Sequence, residues 1–308
     1  MARPHDPGRA APEGPAAVTA LLAGAGYLAD HGLSTVVFLA LALGRPLFLE
    51  GEPGSGKTEL ARALAAATGA ELIRLQCYEG IDAAQAVYEW DYPRQLLHLR
   101  ANESAGLAAE RAIEAELYEE RFLIRRPLLR AISAPPGTPP PILLVDEVDR
   151  SDDEFEAFLL EILSDYAVSI PELGTVRAEV QPTVVLTSNR TRDVHDALKR
   201  RSLYHWVGHP SFEREVAIVQ LRSPEIPDRL AREVTAAVAA MREQSLYKPP
   251  GVSETIDWAN ALAALGAAGL DAALVEATIG TVLKYREDVE RVLGGDLEAL
   301  VERAVARA

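Results

Sequence analysis

The chain has 308 residues, 48% of them hydrophobic and 25% charged, with a formal net charge of −15. That balance fits one large globular domain or two modest ones, and it argues against a generic nucleic-acid binder, whose phosphate contacts need clustered Lys and Arg. The single cysteine, Cys77, excludes an internal disulfide and a cysteine-based zinc site. It points to a cytoplasmic protein in which Cys77 is a small buried side chain.

In chain order, residues 1–15 are rich in Pro, Gly and Ala and read as a mobile tail without a signal peptide's apolar core. Helices are expected from about Ala16 to Gly44. The apolar run from Leu33 to Glu50 is interrupted by Arg45 and Pro46 and falls short of the ~20 residues that span a bilayer. It reads as a buried helix followed by the strand PLFLEG. A glycine-rich loop follows, then a helix starting near Lys57 and a second strand over Glu71–Tyr78. The segment from about Asp82 to Ser133 reads as mainly helical, and the proline-rich Ala134–Pro141 as an exposed connection.

ILLVDEVD, beginning at Ile142, is an apolar run ending in carboxylates. The next helix places Phe155, Phe158, Leu159 and Ile162 on one face. A hairpin is expected with its turn near Glu172–Gly174, and PTVVLTSNR is another buried strand. After about Pro210 the pattern is helical, broken at Pro224, Pro227, Pro249 and Pro250. Apolar strands alternating with helices predict an α/β fold, with a parallel sheet covered by helices on both faces and an all-helical lid after it. The expected domains are 16–210 and 211–308.

GEPGSGKT, Gly51–Thr58, fits the phosphate-loop pattern in full, after an apolar strand and before an amphipathic helix. Its glycines let backbone N–H groups wrap phosphate oxygens. Lys57 supplies a point charge to the β- and γ-phosphates, and Thr58 offers a hydroxyl to Mg²⁺. The candidate binding residues are Gly51, Glu52, Pro53, Gly54, Ser55, Gly56, Lys57, Thr58 and Glu59. Asp146, ending a buried strand, suits the metal, and Glu147 beside it suits an attacking water. The neighbouring Asp152, Asp153 and Glu156 read as a solvated helix face. Asn189 ends the PTVVLTSNR strand, where it either orients that water or is a turn residue. Lys199, Arg200 and Arg201 stand side by side; on composition alone they are a solvated helix end, where cations suit the helix dipole.

The order of phosphate loop, D-E strand, T-S-N strand, ALKRR and a helical tail resembles an AAA+ ATPase. The blocks LEGEPGSGKTELARALA, LIRLQCYEGID, VYEWDYPRQLLHLR, LLVDEVDRSDDEFEAFLLEILSDYAVSIPELGTV, VVLTSNRTRDVHDALKRRSLYHW and KPPGVSETIDWANAL are similar to the MoxR group, in its CoxD-like branch. The resemblance implies ATP rather than GTP, Mg²⁺, and a ring of copies, expected to be a hexamer. It also implies an arginine reaching the nucleotide of the neighbouring copy. Arg201 matches that finger best and Arg200 second, with Lys199 as helical neighbourhood.

The resemblance further implies remodelling of a protein client, a molybdenum enzyme during maturation of its metal centre, alongside a von Willebrand A-domain protein. The rival readings are a nucleic-acid motor on the same scaffold and a non-ring P-loop kinase or switch. Glu254 and Thr255 stand where many AAA+ lids carry a sensing arginine, and Trp258 reads as lid core. Tyr88, Trp90 and Tyr92 either face a ring axis and grip a client or pack into a core or interface. His195, His205 and His209 are too scattered for a metal site.

Overall fold

The computed structural model describes residues 12–101 and 116–308. Most of the expected tail therefore lies outside the described residues, as does part of the segment expected to be helical around 82–133. By contact density the chain divides into two compact units. The first takes in the described residues up to Leu21, His31–Glu50 and Ala61–His205; the second takes in Leu22–Asp30, Gly51–Leu60 and Trp206–Ala308.

The first unit is built on a five-stranded sheet. Its strands are β1 (Leu47–Glu50), β2 (Leu72–Gln76), β5 (Ile142–Asp146), β8 (Thr183–Ser188) and β9 (Leu203–Trp206), in the order β2-β5-β8-β1-β9. The β2–β5, β5–β8 and β8–β1 pairs are parallel, with Glu50 opposite Ser188 and Gln76 opposite Asp146. Every residue of β1 and β5 is buried. Such strands are apolar throughout because helices cover both faces of a parallel sheet. The strand β9 lies beside β1 and was not expected. It is four residues long and follows directly on a charge run, so no periodicity marks it.

Helices α1 (Pro15–Gly24) and α2 (His31–Leu43) precede β1, and α3 (Lys57–Thr68) leads from the glycine loop toward β2. The described part of the segment expected to be mainly helical is so, but it also carries an unexpected antiparallel pair. The helices are α4 (Ala83–Val87), α5 (Tyr92–Ala101) and α6 (Pro127–Ile132); the pair is β3 (Tyr88–Trp90) with β4 (Leu123–Arg125), with α5 between its strands in sequence. The alternating aromatics of Tyr-Glu-Trp suit a pleated, half-buried surface better than a helix. Trp90 is 7% exposed and meets Tyr118 edge-to-face at 5.4 Å, so it packs in the core. Tyr92 is exposed.

Helix α7 (Asp153–Asp165) starts at an N-cap, Asp152, whose carboxylate accepts from Phe155 N, and carries acidic residues in its first turn. Both features suit the positive end of a helix. Phe155, Leu159 and Ile162 are buried against the sheet core, as their spacing predicts. The hairpin β6 (Ala167–Ile170) and β7 (Gly174–Arg177) turns at Pro171–Leu173, where Gly174 has φ +85°. Helix α8 (Asp196–Arg201) then leads into β9. Cys77 is fully buried; burial, then the nearby Asp146 carboxylate, pushes its thiol up to about 12, so it stays protonated at neutral pH.

The second unit's core is helical. Its helices are α9 (Phe212–Arg222), α10 (Asp228–Arg242), α11 (Val252–Ala264), α12 (Ala272–Val282), α13 (Arg286–Leu293) and α14 (Leu297–Arg307). The expected prolines fall in the connections before α10 and α11. Trp258 is fully buried and donates to Thr278 Oγ1 at 2.7 Å. A buried ion pair joins α9 to α10: Arg242 grips both oxygens of Glu215 at 2.6 and 2.8 Å. Thr255 donates to the same carboxylate at 2.7 Å. Removing one partner of such a pair strands a buried charge. Arg242→Met is expected to destabilise the helical unit by about 3 kcal/mol, read as a lower urea midpoint; an unmoved midpoint contradicts this account of its packing.

Candidate active site

In the second unit the loop Gly51–Thr58 folds around Lys57. Lys57 is 6% exposed, and its ammonium donates to Gly51 O and Glu52 O at 2.7 Å each. Gly54 and Gly56 take φ +75° and +89°, a region that glycine enters without strain. Space demands glycine as well. A Cβ on Gly51 would lie 2.2 Å from Val207 O, and one on Gly54 2.5 Å from Ser253 Oγ.

The start of α11 packs on this loop, with Val252 N donating to Gly54 O at 3.1 Å. Glu254 caps α11 by accepting from Gly251 N at 2.9 Å, and Thr255 turns inward to Glu215. The two residues standing in the place of a sensing arginine thus serve the helix start and the buried ion pair. Glu59 pairs with Arg222 at 2.9 Å. His209 belongs to this unit as well; burial, then Arg242, lowers its pKa, so the ring is neutral at neutral pH.

In the first unit, β1, β5 and β8 end on one edge of the sheet because they run parallel. Asp146, the last residue of β5, is 3% exposed. Its Oδ1 accepts from Thr187 Oγ1 at 2.6 Å, and its Oδ2 accepts from Arg74 Nη2 and Nε at 2.6 and 3.0 Å. Glu147 follows in left-handed backbone, φ 56° and ψ 50°, which is uncommon for a residue with a Cβ. Its backbone N–H donates to Thr187 Oγ1 at 2.9 Å. Three side chains hold its carboxylate: Asn189 Nδ2 on Oε1 at 3.2 Å, with Gln76 Nε2 and Arg150 Nη1 on Oε2 at 3.0 and 3.2 Å. Asp146, Glu147 and Asn189 are therefore brought together as one hydrogen-bonded group.

Asn189 is itself placed by Asp149, a buried carboxylate that accepts from the N–H groups of Asn189 and Thr191 and from the Thr191 hydroxyl at 2.7 Å. Between them, Arg190 takes φ 57°. Glu156, expected on a solvated face, is instead buried: it pairs with Arg192 and accepts from His195 N at 2.6 Å. It ties α7 to the connection between β8 and α8. Gln76, Arg74, Thr187 and Asp149 carry no local sequence signal; each acts across strands on a residue about 40 to 72 positions away.

The three cations of α8 differ. Lys199 reaches Glu50 Oε1 at 3.7 Å. Arg200 is exposed and pairs with Asp196 at 3.8 Å. The Arg201 side chain has no ion pair or hydrogen bond among the described residues. With Arg45, Arg177, Tyr166 and Gln181 it lines an open cavity of about 560 Å³.

A glycine loop around a buried lysine, together with a sheet edge carrying an Asp-Glu-Asn group, defines a P-loop nucleotide-binding α/β protein. Residues 46–202 match the family described as AAA domain, dynein-related subfamily, and the chain belongs to that family. It is similar to the uncharacterized protein YehL of Escherichia coli K12, at 26% identity over 286 residues that cover 82% of this chain and 72% of that protein. The solved structure of a candidate ATPase from Cytophaga hutchinsonii aligns with a TM-score of 0.48 at 14% identity, covering 94% of this chain and 93% of that one. Among the described residues no helix is long and apolar enough to cross a membrane, and no group of three His, Cys, Asp or Glu side chains could hold a metal ion.

Asp149→Ala removes the acceptor from three donors in the Asn189–Thr191 turn. It is expected to cost about 1–3 kcal/mol, seen as a lower melting temperature; an unchanged one contradicts this reading of the turn.

Proposed function

We propose that the protein is a ring-forming, Mg²⁺-dependent ATPase of the AAA+ class that remodels a protein client. The observation that carries the reading is the grip on Glu147. A carboxylate held in left-handed backbone by Asn189 and Gln76, next to a buried Asp146, is the arrangement that water activation needs. Backbone held off its ordinary minima is commonest where a site demands it. In this reading Glu147 takes a proton from the attacking water, Asn189 orients that water, and Lys57 binds the β- and γ-phosphates.

A buried carboxylate at a strand end suits a hard cation, and Mg²⁺ takes few protein ligands alongside nucleotide and water. On the pairing of motifs, the Asp146 carboxylate and the Thr58 hydroxyl are the oxygens that would hold it, each described within its own unit. Mg²⁺ held there would neutralise developing phosphate charge. In this reading residues 16–210 are the nucleotide-binding domain and 211–308 the lid, a division by sequence that differs from the two compact units, where Gly51–Leu60 groups with Trp206–Ala308.

Hydrolysis in this reading needs a second copy. The Arg201 side chain, at the end of α8, has no ion pair or hydrogen bond among the described residues, as expected of a guanidinium that serves the neighbouring copy's γ-phosphate. Arg200 is the alternate. The residue blocks that resemble the CoxD-like branch of the MoxR group support a hexamer acting on a protein client, and the lone Cys77 supports a cytoplasmic location for it. That client is a molybdenum enzyme in maturation, with a von Willebrand A-domain protein as co-partner.

Glu147→Gln is expected to keep nucleotide binding, followed with a fluorescent ATP analogue, while hydrolysis falls by about 10²–10⁴. Proteins retained on that variant in ATP and released in ADP identify the client. Hydrolysis at the wild-type rate overturns the reading.

A further inference from the structure

We infer that strand β1 sets the position of Arg201 by holding helix α8 at two points, with Arg45 and Lys199 as the positioning residues. The inference rests on the proposed action of Arg201 in a neighbouring copy. A helix of six residues cannot hold its own last turn rigidly, because its final carbonyls have no partner within the helix.

Arg45, two residues before β1, supplies the missing donors. Its Nε donates to Arg201 O at 3.2 Å, and its Nη2 to Arg200 O at 2.9 Å and Ser202 O at 3.4 Å. A planar guanidinium fork thus grips three consecutive carbonyls around the residue that carries the finger.

The second hold is at the other end of β1. Phe48 and Glu50 share one face of the strand, since side chains alternate along it. Lys199 lies over that face, its ammonium 3.7 Å from Glu50 Oε1 and 5.7 Å from the centroid of the Phe48 ring. Glu50 is 5% exposed, and its carboxylate is also fixed by Tyr204 Oη at 2.8 Å and by Arg190 Nε at 3.9 Å. Tyr204 stacks on Phe48, with ring centroids 6.2 Å apart. Burial and the hydrogen bond to Glu50 both raise its phenol pKa. Two cations and a hydroxyl thus meet one buried carboxylate, which would be costly to leave uncompensated, and Lys199 is the one of the two cations that α8 supplies.

Lys199 therefore has a task distinct from its neighbours. It fastens α8 while Arg201, two residues on, is left free to reach outward. Glu50 is also the residue before the phosphate loop, so the strand that leads into one copy's loop is the strand that fixes the finger offered to the next.

The test uses two full-length variants, each inactive alone. Arg201→Ala keeps its own site and lacks the finger; Glu147→Gln keeps the finger and lacks hydrolysis. Mixed, they hydrolyse ATP wherever a Glu147→Gln chain lends its finger to an Arg201→Ala site. Adding Lys199→Met to the finger donor is expected to lower this activity by about tenfold to a hundredfold, the cost of a misplaced catalytic group. Adding it to the acceptor, whose finger is already gone, leaves the activity unchanged.

Equal loss from both placements, or loss from neither, overturns the inference. Should Lys199→Met fail to fold, Arg45→Met in the same two placements gives the same asymmetry or contradicts it. If the starting mixture regains no activity, the reading of Arg201 as a finger falls, and this inference falls with it.

Discussion

Strand polarity is the constraint on which the rest depends. Because β1, β8 and β5 run parallel and in register, Glu50, Ser188 and Asp146 finish on one edge of the sheet. Buried charge gathers there, and each carboxylate is satisfied by identifiable donors. Asp146 has Arg74 and Thr187, Asp149 has the Asn189–Thr191 turn, and Glu50 has Tyr204 with Lys199 and Arg190. An unpaired carboxylate at that depth would cost several kcal/mol. The edge can be this acidic only because cross-strand donors meet every group.

Those donors also impose geometry. Thr187 accepts from Glu147 N while donating to Asp146, so one hydroxyl fixes both members of the acidic pair. Asp149 fixes the backbone of Asn189, whose amide then holds Glu147. The proposed water-activating group is therefore fastened through its backbone, its side chain and its neighbour's backbone. The phosphate loop is fastened differently. It closes on its own lysine and is overlaid by the start of α11, where Glu254 and Thr255 are spent on capping and on the buried Glu215–Arg242 pair.

What could be read from sequence follows from this difference. The phosphate loop and the Asp146–Glu147 pair were legible because their chemistry requires particular residue types in one short contiguous stretch. The apolar strands β1, β5 and β8 were legible because burial on both faces leaves no polar position. Gln76, Arg74 and Asp149 were not legible: their partners lie far along the chain, and nothing local distinguishes them from ordinary polar residues. Glu156 was misread for the same reason, since its partner Arg192 becomes adjacent only once α7 packs beside the connection after β8. The pairs β3–β4 and β1–β9 were missed because strands of three or four residues show too little alternation to compete with their flanks. Lys199 reads in sequence as helical neighbourhood to Arg200 and Arg201; its contacts with Glu50 and Phe48 exist only once β1 lies beneath it.

The central claim is that one chain holds everything for hydrolysis except a guanidinium, and that this group comes from another copy. The direct measurement is the ATPase rate per chain over a wide range of protein concentration, with the assembly state followed by sedimentation in the same samples. The account predicts a rate that is near zero for single chains and rises steeply as they assemble. A single chain that turns over ATP at the full rate at every dilution would contradict it.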